Sequence, residues 1–224
     1  MKFVTKKPPI IQSSEKSLKR ALNLHIAVII ASISAIFMNG FYNVPEGSSY
    51  NLDQSFAVFG MLVMAAIVAV FVEIFYRLSE GDTSRFSSYS GFIDPISTGL
   101  LIALLLPITT PIYVLSLAVI IGTYAGKLVF GGYGYYIFNP VLVGVIFVSL
   151  SFSGQLAILD TPLLMLKDVF ASGATFSGID MQSLVIGNYA EIAVGSTGVI
   201  TLIALFIYLT LSKVIDLRLS GVFL

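Results

Sequence analysis

The chain has 224 residues, 57% of them hydrophobic and 11% charged, with cationic and anionic side chains in equal number and a mean hydropathy of +0.96. These values lie outside the soluble globular range and read as an all-α integral membrane protein, and a net charge of zero gives no overall field to recruit nucleic acid. Absence of cysteine removes disulfides, thiolate-held iron–sulfur clusters and zinc–thiolate sites together; the single histidine, His25, cannot furnish a ligand cluster, so redox chemistry needs an organic cofactor and no metal site is expected.

Residues 1–21 form a basic arm holding Lys2, Lys6, Lys7, Lys16, Lys19 and Arg20. The apolar run behind it, Leu22 to Tyr42, is too long and too poorly ended for a cleaved signal peptide; it predicts a first span with a cytoplasmic amino terminus. Ser55 to Leu78 predicts a second span. Inside it Glu73 is costly in hydrocarbon, which makes it a functional candidate by default. Arg77, one turn on and in the favourable order for a helical ion pair, points to a pair snorkelling near the inner surface. His25, just inside the first span, reads as a satisfied interfacial histidine.

Between Ile93 and Ala125 the apolar run is cut by Pro107 and Pro111, with Thr109 and Thr110 between them, which predicts two short helices joined by a tight turn. Phe138 to Leu156 predicts the fifth segment, completing a five-segment membrane unit over residues 22–157. A loop over residues 158–196 follows, and residues 197–224 carry a sixth span, Gly198 to Leu211, with a cytoplasmic end. Six crossings put the arm, Arg77, Arg85, Lys127, Lys213 and Arg218 inside and only Lys167 outside, as the positive-inside rule asks. The 158–196 loop is then extracytoplasmic in a multi-pass protein of the inner (plasma) membrane. In the absence of tryptophan, Tyr42, Tyr50, Tyr76, Tyr113 and Tyr133 are the candidates for an interfacial belt.

Two interruptions share a pattern. Asp94-Pro95 is followed by Gly99, and Asn139-Pro140 by Gly144, as expected if Asp94 and Asn139 cap helices that begin with proline. Either these are ordinary helix starts at the membrane surface, or they meet at membrane depth, where unpaired N–H groups and a partial positive charge suit an anionic or hydrogen-bonding ligand. Gly122-Thr123-Tyr124-Ala125-Gly126-Lys127 is one residue short of a phosphate-cradling loop and has Leu128 where a hydroxyl should follow the lysine, so the nucleotide reading is rejected. Lys127 reads instead as a cytoplasmic anchor at a helix end, before the turn Gly131-Gly132-Tyr133-Gly134. In the long loop stands Ser172-Gly173-Ala174-Thr175, either a simple turn or a hydroxyl left accessible by two small neighbours to a modifying enzyme.

Three ordered stretches carry a family resemblance. "AGKLVFGGYGYYIFNPVLVG", Ala125 to Gly144, and "IDPISTGLLIALLLP", Ile93 to Pro107, resemble blocks of the RnfD/NqrB family, a membrane component shared by Rnf electron transport complexes and sodium-pumping NADH:quinone reductases. SGAT stands where that family carries covalent flavin mononucleotide. The resemblance implies FMN joined through its phosphate to Thr175 by a flavin transferase acting outside the cytoplasm. Ser172, Gly173, Ala174 and Asp168 would surround the attachment, and Asn139 with Pro140 would contribute helix ends to cofactor binding. Asp168 stands one residue further from Thr175 than the family's usual aspartate, and Gly195-Ser196-Thr197-Gly198 is followed by Val199 where an acidic residue is usual.

The resemblance further implies the first half of an inverted-repeat architecture, with much of the second half lacking, so the chain reads as a fragment, a split form or a shortened relative. It would act as one subunit of an oxidoreductase that moves sodium or protons, beside other membrane and redox subunits in the lipid bilayer, with no catalytic residue set of its own. Asp94 and Asn139 are the candidates for an ion pathway. Two other readings stay open: a transporter that binds riboflavin reversibly on the same scaffold, and a structural scaffold for redox partners without flavin.

Overall fold

The computed structural model describes residues 14–41, 50–80, 90–132, 135–154, 156, 193–196, 199–212 and 214–215. Among these, six helices follow one another: α1 (Ser14–Asn39), α2 (Leu52–Glu80), α3 (Ser90–Leu105), α4 (Ile112–Gly126), α5 (Pro140–Ser151) and α6 (Val199–Leu211), with 3-10 turns at Leu128–Phe130 and Val194–Ser196. No strand occurs among the described residues, and the protein is an all-α membrane protein. Helix α2 is 29 residues long and α1 carries an apolar stretch from Lys19 to Asn39, each enough to cross hydrocarbon. Helix α1 also reaches back into the basic arm, because Lys and Arg are good helix formers and nothing there breaks the turn.

The break between α3 and α4 falls where the prolines require it. Pro107 and Pro111 cannot donate to a helical ladder, and Thr110 closes the turn by giving both its N–H (3.1 Å) and its hydroxyl (2.6 Å) to the Pro107 carbonyl. The second proline-led start also matches its local signal. Asn139 caps α5, its side-chain oxygen accepting the Val141 N–H at 3.0 Å, with Pro140 in the first helical position. Asp94 is different: α3 already begins at Ser90, so Pro95 lies inside the helix and Asp94 caps nothing. So early in a helix a missing N–H forfeits only one ladder bond, and the helix extends back past it.

Hydrocarbon supplies no drive to bury one apolar face against another, so association depends on how closely backbones approach. Helices α4 and α5 meet along small residues. A Cβ on Gly126 would stand 2.6 Å from Pro140 Cα, one on Gly122 would stand 2.7 Å from the Pro140 carbonyl oxygen, and Gly144 lies against the Ala118 carbonyl. Across the bundle, Gly99 of α3 approaches Ala65 and Ala69 of α2 just as closely. The enclosed core includes Val58, Ile102, Leu106, Val114, Val119 and Val148, whereas Phe56, Phe71, Phe75, Leu150 and Leu211 point outward, as lipid-facing side chains do.

These contacts set neighbouring helices antiparallel. The start of α1, the end of α2, the start of α3, the end of α4 and the start of α5 therefore gather at one end of the bundle. At the opposite end Asn39 donates its amide to Ala35 (2.7 Å) and to the carbonyl of Val194 (3.3 Å), and the Val194 N–H reaches the Leu106 carbonyl at 3.0 Å. Ser34 of α1 meets Thr201 of α6 at 2.9 Å.

Candidate functional site

The first end of the bundle holds a buried ionic cluster. On α2 the buried face runs Val58, Leu62, Ala65, Ala69 and, one turn later, Glu73. On α4 it includes Leu115, Val119 and Thr123, and one more turn brings Lys127 to the same side. The helix ends there: the Lys127 N–H still bonds the Thr123 carbonyl, but its φ of −124° leaves the helical range, and Gly131 and Gly132, both at positive φ, lead the backbone away. The long side chain is left inside the bundle, with Lys127 0% exposed.

Its ammonium nitrogen lies 2.8 Å from Glu73 Oε2 and 2.5 Å from Asp94 Oδ2, one cation between carboxylates of two different helices. Arg77 holds the other Glu73 oxygen, through a close Nη2 contact and an Nε–H bond of 3.1 Å. Tyr136, in the segment leading to α5, directs its hydroxyl at Asp94 from 3.3 and 3.4 Å. Two carboxylates, one ammonium and one guanidinium sum to no formal charge, as burial in low dielectric demands. The Lys127 ammonium is thus held between the two carboxylates by close contacts between full charges.

Asp94 also opens onto a cleft of about 390 Å³, lined by His25, Ser97, Tyr136, Asn139 and Pro140 among others. His25 is buried, its Nδ1 in close contact with the Ser97 hydroxyl. That hydroxyl also lies within hydrogen-bond distance of the Ile93 carbonyl, at 3.0 Å, so it links His25 to the backbone of α3. The start of α5, with the cap of Asn139, forms part of the same wall.

The structure thus brings together Asp94 and Asn139, the two residues nominated for an ion path, and places Pro140 beside them. It also contains the expected pair of Glu73 with Arg77 and gives His25 a partner. Lys127 is the correction: expected at the surface as an anchor, it is instead the centre of the cluster, because α4 ends in register with its own buried face. The four-residue spacing from Leu115 through Thr123 was the available signal. Thr175, Ser172, Gly173, Ala174 and Asp168 lie outside the described residues, as do Tyr42, Tyr133, Arg85, Lys167, Lys213 and Arg218.

A family model described as the NQR2, RnfD, RnfE family matches residues 4–224. No curated protein matches the chain. The chain belongs to the NQR2, RnfD, RnfE family, and with it to the membrane subunits of multi-subunit, ion-translocating electron transport complexes.

Proposed function

We propose that this member of the NQR2, RnfD, RnfE family carries FMN esterified to Thr175 and that the cleft at Asp94 and Asn139 belongs to its path for sodium or protons. The observation that carries the flavin reading is Ser172-Gly173-Ala174-Thr175 inside the matched residues, in a stretch of sequence whose flanking lysines and arginines argue for the outer side. Gly173 and Ala174 leave the backbone bare beside the hydroxyl, so a flavin transferase could close over it. The ester would join Thr175 Oγ1 to the flavin phosphate, and FMN held there supplies one- and two-electron transfer.

The remaining work falls to the chain's own side chains. Asp94 faces the cleft on one side and Lys127 on the other, so one carboxylate is shared between a route for small cations and the buried cluster. Asn139 holds the start of α5 at the cleft wall, and the close α4–α5 seam fixes that wall against Lys127. Other membrane and redox subunits would supply the electron donor and acceptor.

The test is in-gel flavin fluorescence of the purified chain after expression with a flavin transferase, beside a Thr175→Val control. A fluorescent band that disappears in the control is the expected result. A dark band under conditions that flavinylate a positive control would remove the covalent reading; saturable riboflavin uptake would then favour a transporter on the same scaffold.

A further inference from the structure

We infer that the crevice between α2 and α4, on the face turned to hydrocarbon, is a binding groove for a phospholipid whose headgroup carries a primary ammonium, and that Glu80 is the group that recognises it.

The shape of the groove comes first. Outside the line where α2 and α4 touch, the two helices leave an apolar crevice of about 740 Å³. Phe71 and Phe75, stacked with ring centroids 6.4 Å apart and both exposed, stand along its α2 side, with Ile120 and Tyr124 along its α4 side. The α2 residues that line it run from Ile67 to Ser79, a rise of about 18 Å. That is a little more than half of a hydrocarbon core of about 30 Å, so the groove runs from one membrane surface to just past the midplane and stops. A helix from another subunit crosses the whole core, whereas the acyl chains of a lipid fill one leaflet. The length fits the lipid.

Chemistry at the two ends fixes its direction. At the deep end Ser116 gives its hydroxyl to the Ile112 carbonyl of its own helix at 2.8 Å, which leaves that end apolar in character. At the other end Tyr76 meets Tyr124 edge to face, ring centroids 6.0 Å apart, and tyrosines settle at the headgroup level, so this end is the mouth. The Tyr76 hydroxyl donates to Glu80 Oε1 at 2.7 Å, and a ring that forms part of the groove wall thereby holds a carboxylate beside the opening. Glu80 is exposed, and no cation among the described residues pairs with it: Arg77, three residues earlier, turns to Glu73, and Lys127 lies between Glu73 and Asp94. The second Glu80 oxygen is the acceptor offered to a headgroup. A primary ammonium brings both charge and N–H donors to it, whereas the trimethylated ammonium of a choline lipid brings charge without a donor. Ser79, also at the mouth, offers a hydroxyl to the phosphate.

The experiment is native mass spectrometry of the full chain in detergent, titrated with dioleoyl phosphatidylethanolamine and separately with dioleoyl phosphatidylcholine, which has the same chains and the same net charge. The wild type should bind the ethanolamine lipid roughly two- to fivefold more tightly, the range an exposed charge pair supports. Glu80→Gln should bring the two lipids level, and Ile120→Trp, which fills the groove from α4, should weaken both. A wild type that binds the two lipids alike overturns the inference, and this is the result if a helix of another subunit is the true occupant. A Glu80→Gln chain that keeps the preference overturns it too, because another group then reads the headgroup. A preference that Ile120→Trp leaves intact places the lipid outside the groove and has the same consequence. Both substituted side chains are exposed, and the wild-type comparison decides alone should either variant fail to fold.

Discussion

At one end of the bundle, Lys127 stands between Glu73 and Asp94 with Arg77 behind, three helices joined by full charges. At the other end, the turn of Thr110 on Pro107, the Asn39 amide and the backbone of Val194 and Leu106 join α1, the α3–α4 turn and the approach to α6 through neutral hydrogen bonds. Both ends satisfy polar groups in a chain surrounded by hydrocarbon. The neutral end does so with directed bonds, each of modest strength and fixed geometry. The charged end uses full charges, whose attraction is stronger at close range and less tied to angle. The comparison sets directed neutral bonds and buried full charges at opposite ends of the same helices.

Substitutions can break that comparison. The largest effect is expected for Lys127→Gln: two buried carboxylates lose their shared cation, costing about 3–5 kcal/mol, read as a lowered thermal unfolding midpoint in detergent. A loss no larger than that of a surface residue would mean that the charges are not held as described.

Next comes the seam that holds α5 against the cluster. Gly126→Leu puts a side chain onto Pro140 and should cost about 1–3 kcal/mol by overpacking, whereas Gly60→Ala, where a Cβ meets nothing within 4 Å, serves as the neutral control. The smallest effect belongs to the neutral end. Asn39→Leu should cost about 0.5–1.5 kcal/mol by the same measurement, and a cost above that of Lys127→Gln would invert the ranking of the two ends.

Much of the fold was legible because the membrane makes apolar length informative. The spans of α1 and α2, the break at Pro107 and Pro111, and the pair of Glu73 with Arg77 all depend on residues close together in sequence. Asn139 as a cap was legible for the same reason. The nearly identical Asp94-Pro95 signal misled, because where a helix begins depends on the residues before a proline as well as on the proline itself. Lys127 was misplaced because a lysine at a helix end ordinarily reaches for water. Here both partners that keep it inside, Glu73 and Asp94, come from other helices, and no local rule could pair the three.

The bond from Asn39 to Val194 also bears on the order of assembly. Its two ends are 155 positions apart, so in a chain made at roughly 5–20 residues per second the Asn39 amide waits roughly 10–30 s for its distant acceptor. Meanwhile one of its two N–H groups keeps the Ala35 carbonyl of its own helix, so only the other waits for a partner. Helix α1 can therefore leave the ribosome and enter the membrane complete, and the Asn39 contact acts as a latch that closes when the stretch before α6 arrives, just ahead of the contact from Ser34 to Thr201.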